Sequence, residues 1–438
     1  MALGGGNFVT QNKVLPGSYI NFVSVDNGVS VFGERGTGAV GTGLNWFDGN
    51  IHTVTKEDFQ KNSLAIFGYE YSNVNLGWVR DFFKNGKTLI FAGLNTDGAA
   101  KAINTYCTAK YYGSRGNSVK TVIQKNVDDE NKFDVLTYMD TTLVDSQTVA
   151  AASELTSNDY VAFKGSVTLT ETAGENLAGG KNGSVTGSAV QNFLTGLESC
   201  SFNAVTVCGF EDDLLLEWTK RMRDEVGMKF QCVVYDVSNK PDYEGCVCIL
   251  GGEYGDFEDI LPWVCGALAG CEINKSLTNK VYDGEALSQA DALEYASKYS
   301  QSELEEHINN GYFTLHRVGD EVRVLMDINS LTSFTDEKGS VFSDNQTIRV
   351  CDQIAMDIAT IFNTYYLGKV PNDDAGRTSF WGEIVKHHET LAGLRAIENF
   401  SSDDITVSQG DTKKSVVVTD CITVVNTMTH LYMTVIVQ

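Results

Sequence analysis

The stretch AVTVCGFEDDLLLEWTKRMRDEVG, residues 204–227, decides the fold class of this chain. Its first six residues form a mostly apolar run that is typical of a buried strand. The rest begins with acidic residues, has basic residues near its end and stops at Gly227, while Leu215, Trp218 and Met222 are spaced along one face. This arrangement predicts an amphipathic helix directly after a strand. Acidic residues at the start and basic residues at the end are favourable for the helix dipole, and glycine commonly ends a helix.

The segments that follow extend the pattern to an open sheet covered by helices. FQCVVYDV (230–237) and CVCILGG (246–252) are predicted as strands, and DFEDILPWVCGALAGC (256–271) as a second helix. The resulting order of strand, helix, strand, strand and helix is typical of an α/β domain. We assign this domain to residues 176–310.

Upstream, the pattern changes twice. Residues 28–102 are predicted as a small α+β domain, with Thr55 as the N-cap of its helix. Residues 103–175 contain short Thr- and Val-rich runs at regular spacing, which favours an inserted β-sandwich. The Gly-, Ser- and Asn-rich segment 174–188 is predicted to be a linker.

Downstream, residues 311–426 are predicted as a C-terminal α+β domain. The segment 311–334 has the pattern of a hairpin that turns at Val318–Glu321, and two helices are predicted within 351–368 and 379–400. The fold class expected from the residues is therefore multidomain, α/β plus all-β, with extended N- and C-terminal arms.

Composition excludes several classes of function. The chain has 438 residues, with 33 Lys and Arg against 57 Asp and Glu, a net charge of −24 that disfavours nucleic-acid partners. The opening MALGGGNFVTQNK lacks the basic and apolar regions of a secretory signal, so we expect synthesis in a cytoplasm. The ten cysteines are accordingly expected to be reduced.

The N-terminal arm, residues 1–27, contains an orphan strand. YINFVSV (19–25) alternates in the manner of a strand, but nothing adjacent can pair with it as a hairpin. Its partner must come from elsewhere in this chain or from another chain. The contact residues that we predict in this arm are Tyr19, Ile20, Phe22 and Val23.

The C-terminal arm, residues 427–438, lies in a segment without any charged residue that begins at Cys421. A run of that length approaches a membrane span, but its threonines and its period-2 alternation favour a strand. Such a strand lacks the usual protection against edge pairing, so it is either internal to a sheet or covered by another molecule. The predicted contact residues are Leu431, Tyr432, Met433, Val435, Ile436 and Val437.

Proline usage agrees with a role of both arms as strands. The four prolines of the chain are Pro16, Pro241, Pro262 and Pro371, which leaves 18–25 and the C-terminal arm free of them. A strand that adds to a sheet must offer its backbone N–H groups, and proline would remove one.

The glycine-rich motifs do not support nucleotide binding. Gly36, Gly38 and Gly41 match GxGxxG, but no helix can begin directly after them, so we predict a glycine-rich turn. The segment at Gly174 fails as a P-loop because Gly180 stands at the lysine position.

No motif predicts a catalytic residue, a metal ligand or a cofactor site. His387, His388 and Glu389 would need a further histidine where Ala392 stands to form a zinc motif, so the histidines are predicted to be solvated or part of the core. A cytoplasmic enzyme that uses the α/β domain without a recognisable motif remains the main alternative, and a surface adhesin is another.

A resemblance rests on six segments that occur in a fixed order. They are MALGGG, TQNKVLPGSYINFVSV, FGERGTGAV, PWVCGALAG, NKSLTNK and GYFTLHRVGDEVRVLMDINSLTSF. Together they resemble contractile phage tail sheath proteins, in particular those of Gram-positive myophages and phage-tail-like bacteriocins. The resemblance extends over essentially the whole chain, although each segment is a packing or turn motif rather than a catalytic one.

The resemblance implies a subunit that forms a helical sheath of stacked rings around a tail tube and contracts to drive the tube through a cell envelope. It implies that the arms, near 14–25 and 427–437, add strands to neighbouring subunits, with receiving strands within 311–332 or 415–425. It also implies a subtilisin-like fold for 176–310, without proteolysis because no Ser/His/Asp arrangement matches.

The expected partners are further copies of the chain, the tail tube protein, and the baseplate and tail terminator proteins. No nucleic acid, membrane insertion, metal or cofactor is expected. The location would be the tail of a virion or of a phage-tail-like particle, assembled in the host bacterial cytoplasm. Lys386 and Arg395, on a predicted helix over 379–398, are candidates for contact with the tube because that helix mixes apolar and basic residues.

Overall fold

The strand predicted at residue 204 lies near the middle of a seven-stranded sheet in the computed structural model. The structure describes residues 35–210, 213–235, 241–250 and 260–437, so Tyr19, Ile20, Phe22 and Val23 of the N-terminal arm lie outside the described residues. The sheet runs in the order β14 (Tyr312–Phe313), β13 (Cys246–Ile249), β12 (Gln231–Tyr235), β11 (Ala204–Val207), β1 (Thr37–Thr42), β3 (Thr88–Gly93) and β2 (His52–Thr55). Neighbouring strands are parallel except for the edge pair β2 and β3.

Helices cover both faces of this sheet, as expected for buried parallel strands. The helices of the N-terminal and central parts are α1 (Lys56–Phe67), α2 (Gly77–Phe83), α3 (Gly187–Leu197), α4 (Asp213–Lys220), α5 (Leu261–Gly270), α6 (Gln289–Ala296) and α7 (Gln301–Asn309). Phe82 and Trp263 fill one face, and Phe193 and Trp218 fill the other. The predicted helix after β11 is confirmed: α4 continues as a π-helical turn and stops at Gly227, whose φ is 89°.

The expectation of a turn at the GxGxxG motif is wrong, because Gly38 and Gly41 lie inside the central strand β1. A Cβ atom at Gly38 would stand 2.5 Å from Phe82, and one at Gly41 would stand 2.9 Å from both Leu94 and Phe193. The glycines therefore let side chains from both faces approach the strand closely.

The described part of the predicted small domain, residues 35–102, does not form a sheet of its own. Strands β1, β2 and β3 complete the sheet of the α/β region, and β14, at the start of the predicted C-terminal domain, forms its opposite edge. The predicted domain boundaries near residues 102 and 311 therefore differ from the structure. The reason is that strands that pair in parallel are far apart in sequence, so the local pattern does not show that they share a sheet.

The inserted region forms two antiparallel sheets, as predicted for a β-sandwich. Its strands are β4 (Lys101–Ile103), β5 (Cys107–Tyr112), β6 (Val119–Lys125), β7 (Phe133–Met139), β8 (Thr142–Val149), β9 (Val161–Phe163) and β10 (Thr172–Asn176). One sheet has the order β10, β6, β7, β8, and the other has the order β4, β5, β9. The predicted linker 174–188 is not a free linker, because it makes bridges to Asp97, Ala100 and Ile103.

The C-terminal region combines two long helices with small antiparallel sheets. Its elements are β15 (Leu315–Val318), β16 (Glu321–Val324), α8 (Asn345–Ile361), α9 (Asp374–Gly393), β17 (Ile397–Glu398), β18 (Ile405–Gln409), β19 (Val416–Asp420) and β20 (Thr423–Val424). The hairpin with its turn after Val318 is confirmed. Helix α8 begins six residues before its predicted start, because Asp344 caps it by accepting hydrogen bonds from the backbone N–H groups of Gln346 and Thr347.

Helix α9 also differs from its predicted limits. It begins after the N-cap Asp373 and ends at Gly393, so Arg395 lies beyond the helix rather than on it. Arg395 has a positive φ of 59°, which is uncommon for a residue other than glycine. The chain turns sharply there and enters β17.

Candidate functional site

The C-terminal segment, residues 427–437, is the largest exposed apolar feature of the described chain. The structure assigns it no strand, and its large apolar side chains from Leu431 to Val437 are at least 67% exposed. Each such side chain forgoes about 1.5–3 kcal/mol of burial free energy in water. A contiguous apolar surface of this kind is typical of an interaction site.

The root of this segment is fixed by Gln346, in the first turn of α8. The Gln346 side-chain amide donates a hydrogen bond to the carbonyl of Val425 at 2.8 Å and accepts one from the N–H of Thr427 at 3.2 Å. Just before it, the N–H of Val425 donates to the carbonyl of Ala396 at 3.0 Å. The chain is therefore anchored as far as Thr427, and the exposed segment begins there.

Helix α8 is in turn held by two buried ion pairs, one to the helical turn that follows α4 and one to the segment that follows β16. Arg223 donates to both carboxylate oxygens of Asp352, at 2.7 and 2.8 Å, and Arg349 donates to Asp327 at 2.5 Å. Burial opposes the charge of Arg223, but the Asp352 carboxylate outweighs it and raises the pKa of the guanidinium. Both pairs are bidentate or hydrogen-bonded further, so α8 is rigidly attached to these two segments.

Sequence reasoning did not identify this joint. The sequence predicted only the apolar face of this helix, whereas Arg349, Asp352 and Asp357 are buried as well. A signal was available in the sequence, because the helix carries charged residues three to five positions apart in addition to an apolar face. Such a helix has both apolar and charged side chains to bury, so it is expected to contact other elements on several sides.

Two regions were predicted to receive an arm strand, and in the first of them, 311–332, the strands are already paired on one side. The outer edge of β16 is occupied by residues 279–282: the N–H of Asn279 donates to Val324, and the N–H of Tyr282 donates to Val322, both at 2.8 Å. Strand β14 is a member of the central sheet. The region 311–332 therefore has little free edge on the β16 side.

The second region, 415–425, contains β19, whose partner β18 lies upstream of the region, and β20, which pairs with β17. Strands β18 and β19 pair with each other from Ile405 opposite Asp420 to Gln409 opposite Val416. Within the part of the chain that the structure describes, no backbone-to-backbone hydrogen bond joins either strand to another helix or strand. The indole N–H of Trp381 on α9 donates to the carbonyl of Ile405 in β18 at 3.1 Å, which leaves β19 as the less occupied edge. Half-buried valines of the hairpin pack on α9, so the hairpin presents a supported sheet with an available edge.

The two basic residues predicted to contact a tube are both exposed near the end of α9. Lys386 lies on the helix, and Arg395 follows it after the exposed residue Leu394. The carbonyl of Leu394 accepts a hydrogen bond from the Asn274 side chain at 2.9 Å, which fixes this turn. The structure therefore places Lys386 on the exposed surface of α9, seven residues before the helix ends at Gly393, and Arg395 two residues beyond that end.

The described residues offer little for catalysis. Across the described ranges, no group of three or more His, Cys, Asp or Glu side chains is arranged to hold a metal ion. A groove of about 430 Å³ beside β2 contains a pair between His52 and Asp48 at 2.8 Å, but no serine or cysteine of the described chain lines it. None of the described helices combines the length and apolarity needed to cross a membrane.

Comparisons with family models match most of the chain to phage tail sheath domains. Residues 95–182 match the phage tail sheath protein beta-sandwich domain, 183–330 the central domain, and 337–438 the phage tail sheath C-terminal domain. These matches follow the order of the sandwich, the central sheet and the C-terminal region in the structure.

Individual proteins show the same similarity. The chain is 31% identical to the phage-like element PBSX protein XkdK of Bacillus subtilis, over 93% of this chain and 94% of that protein. It is 34% identical to the crystal structure of a sheath tail protein from Desulfitobacterium hafniense, with a TM-score of 0.75 over 90% of this chain and 93% of the other. The contracted helical sheath of the anti-feeding prophage shares the fold at 9% identity, with a TM-score of 0.54 over 97% and 99% of the two chains.

Proposed function

The chain belongs to the phage tail sheath protein family, as a structural subunit of a contractile tail sheath, and from this premise we propose that its C-terminal segment joins neighbouring subunits by strand addition. The observation that carries the proposal is the exposure of an uncharged, alternating segment with its root fixed at Thr427. Its apolar side chains have no partner site within the described chain, so a second copy supplies it.

The acceptor in this proposal is the β18–β19 hairpin of a neighbouring subunit. Strand β19 has no backbone-to-backbone hydrogen bond to a described element other than β18, and a third strand at its edge would extend the pairing by a regular ladder. Strand addition of this kind takes its affinity from main-chain hydrogen bonds and its specificity from alternate side chains. Because the segment contains no proline, each of its residues has a backbone N–H, and those beyond Thr427 can donate to the ladder.

A single added strand gives a weak junction. Each ladder hydrogen bond contributes only about 0.5–1.5 kcal/mol net, and ordering each residue costs about 1–2 kcal/mol. A lattice in which each subunit donates and accepts a strand makes many such junctions at once, so avidity stabilises it. The N-terminal arm, 14–25, is proposed to add a strand in the same way.

Contraction then follows from rigid subunits joined by extended segments. We propose that subunits rotate as nearly rigid bodies while the arms keep them connected, so that the sheath shortens and drives the tube. Lys386 and Arg395 are proposed to face the tube, and baseplate and terminator proteins to contact the ends of the sheath. The particle is the tail of a virion or of a phage-tail-like particle, assembled in the host cytoplasm.

We propose that the central sheet is subtilisin-like in layout and has no catalytic role. Its parallel strands with helices on both faces support the layout. Contraction uses free energy stored in the extended lattice, so nucleotide and metal are not required. The purified protein is expected to show no peptidase activity and no NAD binding, and either signal would favour the alternative of a cytoplasmic enzyme.

Two exposed valines allow a matched test of the assembly site. Val435 in the C-terminal segment is 67% exposed and Val127 in a sandwich loop is 93% exposed, so an aspartate at either position costs the isolated subunit little. We expect Val435→Asp to remain folded and soluble but to form no sheath in electron micrographs, because the charge would be buried at the junction. Val127→Asp is expected to assemble as the wild type does.

Removal of residues 427–438 should have the same effect as Val435→Asp. Sheath of normal appearance from either variant would refute the assignment of the segment. Loss of sheath in Val127→Asp as well would show that assembly responds to added negative charge in general rather than to this segment.

A further inference from the structure

Four titratable side chains form a continuous chain beside the β18–β19 hairpin. Asp357 on α8 contacts Nε2 of His387 at 3.3 Å, Nδ1 of His387 contacts Nδ1 of His388 at 3.2 Å, and Nε2 of His388 contacts Asp420 at 2.6 Å. Both imidazoles are almost fully buried, with exposed side-chain fractions of 1% and 0%. The cluster thus links both long helices to the last residue of β19.

The number of protons in this cluster follows from its geometry. Ionised carboxylates and bare ring nitrogens only accept hydrogen bonds, so each of the three contacts requires a proton of its own. Two neutral imidazoles carry only two N–H groups between them. A neutral pair would therefore leave one contact with two acceptors facing each other at hydrogen-bonding distance, which is unfavourable in a buried site.

We propose that this cluster binds a third proton, held as an imidazolium on His388, and that this proton fixes the β18–β19 hairpin in the position that accepts a neighbour's strand. His388 then donates from Nδ1 to His387 and from Nε2 to Asp420, while neutral His387 donates from Nε2 to Asp357. The regulatory part rests on the proposed role of the hairpin as acceptor.

The surroundings agree with this distribution of charge. Burial lowers the pKa of His387, with Asp357 acting in the opposite direction, so His387 is the neutral member. The charged groups that face the pair are Asp357 from α8 and Asp420 from β19, and Gln353 donates to Asp357 at 3.0 and 3.1 Å. The ring of Phe400 covers His388 from the connection before β18, at 5.1 Å between ring centroids.

The sign of the pH dependence differs on the two sides of neutrality. An unfolded chain binds a proton on each histidine below a pKa of about 6.5, whereas the folded cluster holds one imidazolium and one neutral ring. Below about pH 6.5 the unfolded chain therefore binds more protons, and stability falls as the pH falls. Above it the folded cluster binds more, and stability falls as the pH rises until the third proton leaves. Assembly should show a maximum in between, changing at most tenfold per pH unit on either side.

Histidine-labelled full-length protein tests the proton count directly. Nitrogen chemical shifts distinguish bare from protonated ring nitrogens, and the His388→Gln variant identifies the signals of this residue. In spectra recorded at pH 7.5, the proposal requires both nitrogens of His388 to carry protons and one nitrogen of His387 to be bare. A bare nitrogen on His388 at this pH would overturn the proposal.

Sheath yield between pH 5 and 9 tests the regulatory part. His388→Gln keeps an amide donor toward Asp420 without titrating, so its yield should lose the alkaline decline of the wild type, and His316→Gln, outside the cluster, should retain it. Parallel decline in the wild type and His388→Gln would refute regulation by this proton. A wild-type protein that forms no sheath at any pH would instead refute the proposed function, and the nitrogen shifts would still decide the proton count.

Discussion

Removing the carboxylate of Asp352 is expected to destabilise the subunit severely. The side chains of Arg223 and Asp352 are only 4% and 10% exposed, and two hydrogen bonds of 2.7 and 2.8 Å join them. Asp352→Ala would leave the guanidinium buried without its counter-ion. Breaking a buried pair in this way costs about 3–5 kcal/mol, which lowers the folding equilibrium constant by a factor of more than about one hundred.

Urea unfolding of unassembled protein, followed by tryptophan fluorescence, measures this loss. Trp218 is buried on α4, next to the segment that carries Arg223, and reports on the joint. Asp159→Ala is the matched control, because Asp159 pairs with Lys110 at 3.0 Å in an exposed position. An exposed pair contributes only about 0–1 kcal/mol.

A double variant separates the charge from the packing. Arg223→Met combined with Asp352→Leu removes both charges and keeps apolar volume, so it should recover most of the stability that Asp352→Ala loses. The reasoning would be refuted if Asp352→Ala cost no more than the Asp159→Ala control. It would also be refuted if the double variant were less stable than the single one.

The remaining predictions concern the root, the tube face and the cap of α8. Gln346→Ala removes two hydrogen bonds worth about 0.5–1.5 kcal/mol each, so we expect faster amide exchange at Thr427 and a lower sheath yield. Unchanged exchange would show that Gln346 does not fix the root of the C-terminal segment. Lys386→Glu with Arg395→Glu should reduce co-sedimentation of sheath with tube while sheath alone still forms, and unchanged co-sedimentation would contradict the tube face. Burial, with Asp327 nearby, raises the pKa of Asp344 to about 6, so the folded chain binds more protons between about pH 4 and 6 and gains stability as the pH falls. Asp344→Asn keeps the cap and should remove this gain, up to about 1.4 kcal/mol per pH unit in urea unfolding.

Local patterns were sufficient for the elements whose determinants lie within one segment. The helix after β11 has its charges and its Gly227 stop in one continuous stretch, and the hairpin that turns after Val318 has both strands beside the turn. The exposed character of the C-terminal segment also follows from composition, because an uncharged alternating strand without a local partner must find one elsewhere.

The elements that were mispredicted depend on distant residues. Gly38 was predicted in a turn but lies in strand β1. The strands that pair with β1, β3 and β11, are about 50 and about 165 residues away in sequence, so the local pattern does not show the pairing. The predicted start of α8 is six residues late, and its first turns contain Arg349, whose partner Asp327 lies 22 residues away on another segment. The hydrogen bonds of Gln346 to the root of the C-terminal segment join residues about 80 positions apart, so no local sequence pattern could predict them.

The position of the arm root determines how a subunit carries mechanical load. Tension on the C-terminal segment would pass through the two hydrogen bonds of Gln346 into the first turn of α8. From α8 it would pass through the Arg349–Asp327 pair to the segment after β16 and through the Arg223–Asp352 pair to the helical turn after α4. The weakest links in this series are the two hydrogen bonds at the root, whereas the inner joints are buried and charge-assisted. If the segment tethers neighbours as proposed, it would yield at its base before the body deforms, and a change in sheath length would not require unfolding of the subunits.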